Sequence, residues 1–384
     1  MTPARRADLA YFAGVIAGIV FLAGIGAFAA HDRHLVARDS DFAGIWAGAR
    51  AIVDGHDPYD ALTWRSVAET YGTQQPDTDV YGYPRWAALA LVPLALLPFE
   101  LAAQLWLVAG VGLAIVGVRA LLRATLPGAA LAHGVVGAAV FMSQPGYQTV
   151  VNGQWTFLLL ATTCATLLLL RARRPRLSAL ASLGWLAKPQ LFVGYALGGA
   201  HRDRTFGIWS AALAVAVTIG SAVGAPGWVA AWSARVAPQR IAQPATLYAA
   251  ATDVLGRPAG LAIAGLVVAI GIAICLRQPR SSDASLALWS LLSLVAAPYA
   301  WSYDLLLLVP GAVLAAGIVA QRDQRRATIV LEGFAIVLVL ATPALYYLAL
   351  MRGRETFTAV LPLAAFAAAS AILWRAVPEA PSSG

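Results

Sequence analysis

The chain has 384 residues, of which 60% are hydrophobic and only 12% are charged, and its mean hydropathy is +0.71. Soluble domains carry about 25% charged residues, so this composition excludes a soluble globular protein and indicates an integral membrane protein. The formal net charge of +8 does not indicate a nucleic-acid-binding protein, because the chain offers no basic face with interleaved aromatic residues.

The first apolar run, roughly residues 9–30, is predicted to be a retained membrane-spanning helix. It is long for the apolar part of a signal peptide, and residues 28–31 form a poor cleavage site. Arg5 and Arg6 precede the run. Because basic residues mark cytoplasmic loops, they place the N-terminus inside the cell.

Residues 31–100 are predicted to form a long external loop that carries juxtamembrane helices. The loop is turn-rich and holds about half of the chain's 19 acidic residues. Asp41 is predicted to be the N-cap of a short amphipathic helix that ends at Gly55. Three prolines break the apolar segment 84–98. This segment is short for a span, so we expect it to lie on the outer membrane face or to dip into it.

The remaining apolar runs are separated by short loops that contain arginine. A helix needs about 20 residues to cross a 30 Å hydrocarbon core. By this criterion further spans are predicted at 101–122, 129–146, 155–170, 206–224, 258–276, 284–298, 305–320, 327–349 and 356–374.

The segment 177–200 has two interpretations. As one span it places Arg202 and Arg204 outside; as a hairpin bent at Lys188 it keeps them inside. The charge rule favours the hairpin. The fold expected is an all-α polytopic membrane protein with about twelve transmembrane segments and both termini cytoplasmic. It forms a single domain over 1–376, with a second external loop at 226–256 and a flexible tail at 377–384.

Asp41 and Asp39 are the first candidates for chemistry, because they stand where the first span meets the external loop. A carboxylate there could act as general base on an acceptor hydroxyl, or Asp41 could simply cap its helix. Asp39 and Asp41 also form an acid-x-acid pattern that chelates divalent metals. The same pattern recurs at 77–79, and two acids without a histidine cluster are a weak metal signal. We therefore expect no cofactor, and a divalent metal is only weakly indicated.

Lys188 is the single lysine of the chain, and it interrupts an apolar run before a proline. An ionisable group at membrane depth is costly and is a functional candidate by default. Its ammonium group would suit a phosphate. The alternative is that the side chain snorkels to the membrane interface.

A second group of candidates follows later in the chain. Asp304 stands among Tyr299, Trp301 and Tyr303, on the predicted outer side. These aromatic residues could form an interfacial belt or a sugar platform. Asn152 and Gln154 could bond sugar hydroxyls or cap a helix. The two cysteines, Cys164 and Cys275, lie in separate apolar runs and are expected to be packing residues.

Several ordered motifs resemble glycosyltransferase family 87, polyprenol-phosphate-sugar-dependent transferases of the GT-C superfamily. The resemblance extends to about residue 310. The motifs are Asp41-Phe42 with Trp46, Gly55-x-Asp57-Pro58-Tyr59, Tyr81-Gly82-Tyr83-Pro84, Leu97-Pro98, Asn152-Gly153-Gln154, Lys188-Pro189 and Pro298-x-x-Trp301-x-x-Asp304.

The resemblance implies a GT-C-type bundle whose catalytic residue is the carboxylate of the first external loop, which here is Asp41. It implies an inverting transfer of a hexose, mannose in the first instance, from a polyprenyl-phosphate-linked donor to a lipid or glycan acceptor. Asp41 would take the acceptor proton, and Lys188 with Arg85 would stabilise the leaving phosphate. Further substrate-binding candidates are Asp39, Tyr83, Asn152, Gln154, Trp301, Tyr303 and Asp304. The location implied is a bacterial-type inner membrane, with the site facing outside and among membrane lipids.

Two other classes of protein remain as alternatives. A transporter or lipid flippase would also fit a bundle of twelve spans, but transporters often show internal repeats and polar groups at the membrane midplane. This sequence shows no repeat, and its polar candidates cluster at one face. A structural subunit would need neither a lone lysine nor an acid pair at the membrane boundary.

Overall fold

A computed structural model describes residues 1–32, 40–71, 81–236 and 245–376 of the chain. Asp39 and the predicted tail 377–384 lie outside these ranges. The described residues are helical and contain no strand. In chain order the α-helices are α1 (Pro3–Asp32), α2 (Asp41–Val53), α3 (Ala61–Tyr71), α4 (Arg85–Ala90), α5 (Val92–Ala95), α6 (Phe99–Thr125), α7 (Ala130–Met142), α8 (Gln144–Asn152), α9 (Thr156–Arg171), α10 (Pro175–Ala181), α11 (Val193–Arg202), α12 (Arg204–Ala222), α13 (Trp228–Val236), α14 (Leu247–Leu255), α15 (Arg257–Arg277), α16 (Asp283–Val295), α17 (Leu308–Ala320), α18 (Gln324–Ile336), α19 (Thr342–Arg352) and α20 (Val360–Ala376).

Tighter or wider helical turns join some of these helices. The 3₁₀ segments are Ser182–Ala187, Pro189–Leu191, Ser302–Leu307 and Thr356–Ala359, and Val337–Ala341 is a π-helical turn. The π turn precedes Pro343 in α19. Proline lacks the N–H that would continue the hydrogen-bond ladder, which gives the local widening a physical cause.

Seven helical stretches among the described residues are long and apolar enough to cross a membrane. The protein is therefore a multi-pass membrane protein. The seven are Pro3–Ile25, Phe99–Thr125, Arg204–Ala222, Arg257–Arg277, Ser302–Ala320, Gln324–Arg352 and Thr356–Trp374.

Three other predicted spans have a different form. Helices α8 and α9 would count as an eighth span, but they are bent by 117° against each other. Helices α7 and α16 have only 13 residues each. The predicted span 129–146 was too long, because α7 already ends at Met142. The predicted spans 155–170 and 284–298 match α9 and α16 to within three residues at each end.

The centre of the bundle is built from α16 and α17. Every residue of α16 from Ala284 to Val295 is buried, and α17 packs against it, α18 and α20. The peripheral helices α6, α12 and α15 instead expose apolar side chains such as Val108, Ile208 and Leu266. A helix surrounded by protein does not need to match the thickness of the lipid, which explains how α16 can be short.

The described parts of the predicted external loop, 40–71 and 81–98, contain short helices where the apolar pattern and the prolines predict them. Helix α2 buries Ile45, Trp46 and Ala49 and contacts α3, α4 and α5. The segment 84–98 forms α4 and α5, which break at Leu91 just before Pro93. Asp57 accepts a hydrogen bond from the Tyr59 amide at 3.0 Å, which fixes the predicted turn after α2.

The segment 177–200 leaves and returns to the same end of the bundle. It consists of α10, two 3₁₀ turns around Lys188, and α11. Arg171, before the segment, and Arg202, at its end, both pair with Asp283, at 3.0 and 3.5 Å. The hairpin interpretation therefore describes the observed path, and the single-span interpretation does not.

Arg171, Arg202 and Asp283 lie at one end of the bundle, together with Asp8 and Arg119. We call the region formed by these five residues the basic end of the bundle. Arg119 pairs with Asp8 at 2.8 Å, joining α6 to α1. Arg171 also donates to the carbonyl oxygen of Ala124 at the end of α6.

One connected core of buried apolar residues extends from Tyr11 to Leu373.

Candidate functional site

Asp41 is the first residue of α2, and Ser40 occupies the N-cap position. The prediction that Asp41 is itself the N-cap was therefore wrong by one residue. Its side chain accepts a hydrogen bond from the Gln154 amide nitrogen instead. A negative charge at a helix N-terminus is favoured by the helix dipole, so the position suits an ionised carboxylate.

Gln154 connects Asp41 to a second polar group. Its side chain is 4% exposed, and its amide oxygen accepts a hydrogen bond from the Tyr83 hydroxyl at 3.3 Å. These hydrogen bonds bring together the start of α2, the turn between α8 and α9, and Tyr83, two positions before α4. Sequence analysis proposed all three residues but gave no reason for them to meet.

Gly153 makes this meeting possible. Its φ is +60°, and a Cβ placed on it would lie 2.5 Å from the Cβ of Phe42, the residue after Asp41. Only glycine adopts this backbone conformation cheaply and leaves space for so close an approach. The Asn152-Gly153-Gln154 motif therefore has a structural explanation: it lets α8 turn into α9 directly against the start of α2.

Lys188 and Asp304 form a buried ion pair. Their side chains are 5% and 2% exposed, and Nζ lies 3.0 Å from Oδ1. The ammonium group also lies 4.4 Å from the centre of the Tyr303 ring. The alternative interpretation, in which the Lys188 side chain snorkels to the membrane interface, is therefore wrong. The charge of Lys188 is already compensated by a carboxylate and by the face of an aromatic ring.

Asp304 accepts two further hydrogen bonds. Oδ1 accepts a hydrogen bond from Thr156 at 3.3 Å, and Oδ2 accepts one from the Trp301 backbone N–H at 3.1 Å. The Thr156 contact ties Asp304 to α9, two residues after Gln154. Buried charges are tolerated when they are paired and hydrogen-bonded in this way.

Tyr303 is close to the Lys188–Asp304 pair and within electrostatic range of Asp41. It is 8% exposed and interacts electrostatically with both Asp41 and Asp304. We call the region formed by Asp41, Gln154, Lys188, Tyr303 and Asp304 the site end of the bundle. Helix α9 separates it from the basic end; with 16 residues this helix is about 24 Å long.

The other sequence candidates are distributed around this region. The indole N–H of Trp301 donates to the Tyr299 hydroxyl, so these two aromatic residues fix each other. Asn152 donates a hydrogen bond to Gln148 on its own helix at 2.9 Å. Arg85 opens α4, and its Nε is buried without a hydrogen-bond partner within the described residues.

Glu355 is a site residue that sequence analysis missed. It lies between α19 and α20, and its carboxylate accepts a hydrogen bond from the Ser302 backbone N–H at 2.8 Å. Burial raises the pKa of Glu355 to about 7; the Ser302 hydrogen bonds oppose this shift, and Asp304 adds to it. The sequence signal was a lone acid between two predicted spans on the outer side, in a region where no motif was recognised.

The described residues contain no group of three or more histidine, cysteine or acidic side chains that could hold a metal ion. A small apolar cavity of about 40 Å³ lies between α6 and α9 and reaches Gly153 and Gln154. Leu113, on its lining, is 47% exposed on the outer surface of α6. This cavity therefore adjoins Gln154 of the site end and also an apolar side chain on the outer surface of the bundle.

Comparison with known proteins gives one match. No curated protein and no solved structure matches the chain. The family model of glycosyltransferase family 87 matches residues 81–310, more than half of the chain. This range includes Tyr83, Arg85, Gln154, Lys188 and Asp304, whereas Asp41 precedes it. The chain belongs to glycosyltransferase family 87 and is a membrane glycosyltransferase.

Proposed function

We propose that this protein transfers a hexose, mannose in the first instance, from a polyprenyl-phosphate-linked donor to a lipid or glycan acceptor. Asp41 acts as the general base, and the anomeric configuration is inverted. The single observation that carries this proposal is the position of Asp41. It is an acidic side chain at a helix N-terminus, held by a buried amide that belongs to the family-matched part of the chain.

The reaction needs a base and a route for the leaving group. The acceptor oxygen attacks the anomeric carbon while its proton passes to Asp41. The bond from the anomeric carbon to the phosphate oxygen breaks, and the polyprenyl phosphate leaves with the electron pair. Gln154 fixes one oxygen of Asp41, and Tyr83 fixes Gln154. A base held in this way contributes through position as well as through proton transfer.

Arg85 is the better candidate for stabilising the leaving phosphate. Its buried Nε lacks a hydrogen-bond partner within the described residues, and guanidinium groups bind phosphate oxygens in pairs. Lys188 was the first expectation for this role, but it pairs with Asp304. We assign the Lys188–Asp304 pair to holding Tyr303 and the backbone at Trp301 in place.

A donor with a long isoprenoid chain must reach the site from the bilayer. The apolar cavity between α6 and α9 supports an approach along this side. Its volume of about 40 Å³ holds little more than a water molecule. The two helices must therefore move apart when a lipid-linked donor binds.

We also propose that the site end faces outside a bacterial-type inner membrane and that both termini are cytoplasmic. The arginines of the basic end support this orientation, because basic residues mark cytoplasmic loops. In this arrangement five shorter segments join the seven long stretches. They are α7 together with α8, then α9, the two arms of the 177–200 hairpin, and α16. Together they complete a bundle of about twelve segments.

The test is release of polyprenyl phosphate by the purified protein in nanodiscs. A panel of polyprenyl-phosphate sugars serves as donor, and an extract of the native envelope supplies acceptors. Asp41→Asn should lower the rate by about 10² to 10⁴, the usual contribution of a general base. Glu69→Gln changes an exposed acid of α3 in the same external loop and should leave the rate unchanged.

Two results would overturn the proposal. One is full activity of Asp41→Asn. The other is the absence of turnover with every polyprenyl-linked donor, while a nucleotide sugar is used.

A further inference from the structure

The basic end of the bundle contains a cavity that the proposed reaction does not use. Its volume is about 670 Å³, and it lies among the ends of α6, α9, α11 and α16. The charged lining residues are Arg171, Arg174, Arg202 and Asp283. A cavity of this volume is within the range of small-molecule sites.

The lining carries more positive than negative charge. Asp283 is the one carboxylate among the lining residues, and it already pairs with both Arg171 and Arg202. Arg174 is exposed and forms no ion pair within the described part of the chain. The cavity therefore has an excess of two positive charges, one of them on an accessible guanidinium group.

Arg202 is a buried cation of this lining whose hydrogen bonding is incomplete within the described residues, although its Nη1 donates to the Ser281 and Ser282 carbonyl oxygens at 2.8 and 3.0 Å. Its side chain is 6% exposed, and its Nε is buried without a hydrogen-bond partner within the described residues. Arg171 and Arg173 both repel it electrostatically. A buried guanidinium in this condition is stabilised by an anion that accepts the remaining N–H and offsets the repulsion.

From these observations we propose that the cavity binds a phosphate group, with Arg174 and Arg202 as its principal contacts. Phosphate fits because it offers several acceptor oxygens to the planar donors of arginine. The lining also includes Leu168 and Leu169, so the cavity can take a phosphate that carries an apolar chain. Basic pockets between membrane helices at the cytoplasmic face bind anionic lipid headgroups by the same chemistry.

A phosphate here would join three elements that lead to the site end. Arg171 ends α9, Arg202 ends the hairpin that carries Lys188, and Asp283 begins α16. Occupancy would hold these helix ends together against the repulsion among their arginines. The inference does not depend on the sugar, the acceptor or the role of Asp41.

The experiment measures phosphate binding and thermal unfolding of the full chain in nanodiscs. One arm adds inorganic phosphate to phosphatidylcholine nanodiscs, with chloride at matched ionic strength as the reference. The other arm replaces part of the phosphatidylcholine by phosphatidylglycerol and counts retained lipids by native mass spectrometry. Arg174→Gln and Arg202→Gln are compared with Arg325→Gln, a matched variant of an exposed arginine outside the cavity lining.

We expect phosphate or phosphatidylglycerol to raise the unfolding temperature of the wild type. Arg174→Gln and Arg202→Gln should each weaken binding roughly tenfold, the effect of losing one charge-assisted hydrogen bond, and Arg325→Gln should bind like the wild type. A response to phosphatidylglycerol alone identifies a lipid headgroup as the ligand, and a response to both probes shows that free phosphate suffices.

The proposal is overturned if neither probe stabilises the wild type, or if Arg325→Gln weakens binding as much as Arg174→Gln. Arg174 has an exposed side chain, so its variant carries the test even where Arg202→Gln does not fold.

Discussion

The two ends of the bundle differ in the balance and the exposure of their charged side chains. At the site end, Lys188 and Asp304 are 5% and 2% exposed and neutralise each other. At the basic end, arginines outnumber acids; Arg202 is 6% exposed, but Arg119 and Arg171 remain 31% and 23% exposed. Buried charges need one defined set of partners, whereas partly hydrated charges tolerate an excess. The site end is therefore built for fixed geometry, and the basic end for orientation in the membrane and for anions.

The largest effect on stability should come from breaking the buried pair. Lys188→Met leaves the Asp304 carboxylate without its cation, and Asp304→Leu leaves the Lys188 ammonium without its anion. Each variant should lower the free energy of unfolding by about 3–5 kcal/mol. The double variant should lose less than the sum of the two. Reversible unfolding in mixed micelles measures these differences.

A matched pair at the other end provides the control. Arg326 lies 3.1 Å from Asp323, and the two side chains are 79% and 39% exposed. Because such exposed pairs contribute at most about 1 kcal/mol, Arg326→Gln should be nearly silent. If Lys188→Met were equally silent, the contrast between the two ends would be wrong.

A smaller effect is expected from adding one methyl group at the turn that meets α2. Gly153→Ala adds a Cβ that would lie 2.5 Å from the Phe42 Cβ, at a φ of +60°. Overpacking lowers stability by about 1–3 kcal/mol, and the left-handed backbone adds about 1 kcal/mol. The shift of Phe42 should also move Asp41, so the rate of sugar transfer should fall with the unfolding temperature.

Gly353→Ala separates the two causes. Gly353 has a φ of +65°, but its Cβ would meet no atom within 4 Å. This variant should show only the backbone penalty and keep the wild-type rate. Equal losses in both variants would show that packing against Phe42 does not matter.

A pH dependence of stability is expected from Glu355. Its pKa is raised from an ordinary value of 4.5 to about 7, so the folded protein binds this proton more tightly than the unfolded chain. The contribution of Glu355 to stability is therefore present below about pH 4.5 and is lost as the pH rises towards 7. Between these values the wild type should lose unfolding temperature relative to Glu355→Gln, which does not titrate. If the unfolding temperatures of the wild type and Glu355→Gln changed in parallel with pH, the raised pKa of Glu355 would be contradicted.

Part of the site could be read from residue types. Asp41, Gln154, Lys188 and Asp304 were recognisable as polar groups beside or within apolar runs, where every ionisable side chain is costly. Their partners could not be predicted. Gln154 meets Asp41 across 113 positions of sequence, and Lys188 meets Asp304 across 116. No local pattern encodes such a contact.

Glu355 and the basic-end cavity are features that sequence analysis did not predict at all. Glu355 belongs to no recognised motif, and its importance arises only because the loop before α20 packs on Ser302. Arg174 and Arg202 looked like two of many loop arginines. The cavity between them depends on the hairpin returning its end to Asp283.

The sequence by itself determined the class of protein, the all-helical architecture and the family. These follow from composition, from apolar runs long enough to cross a membrane, and from motifs in a fixed order. Tertiary structure alone decided where helices break, which apolar segments are buried in protein, and which charges meet. The physical reason is that hydrophobicity and propensity act over neighbouring residues, whereas burial, ion pairing and cavities depend on helices distant in sequence that pack side by side.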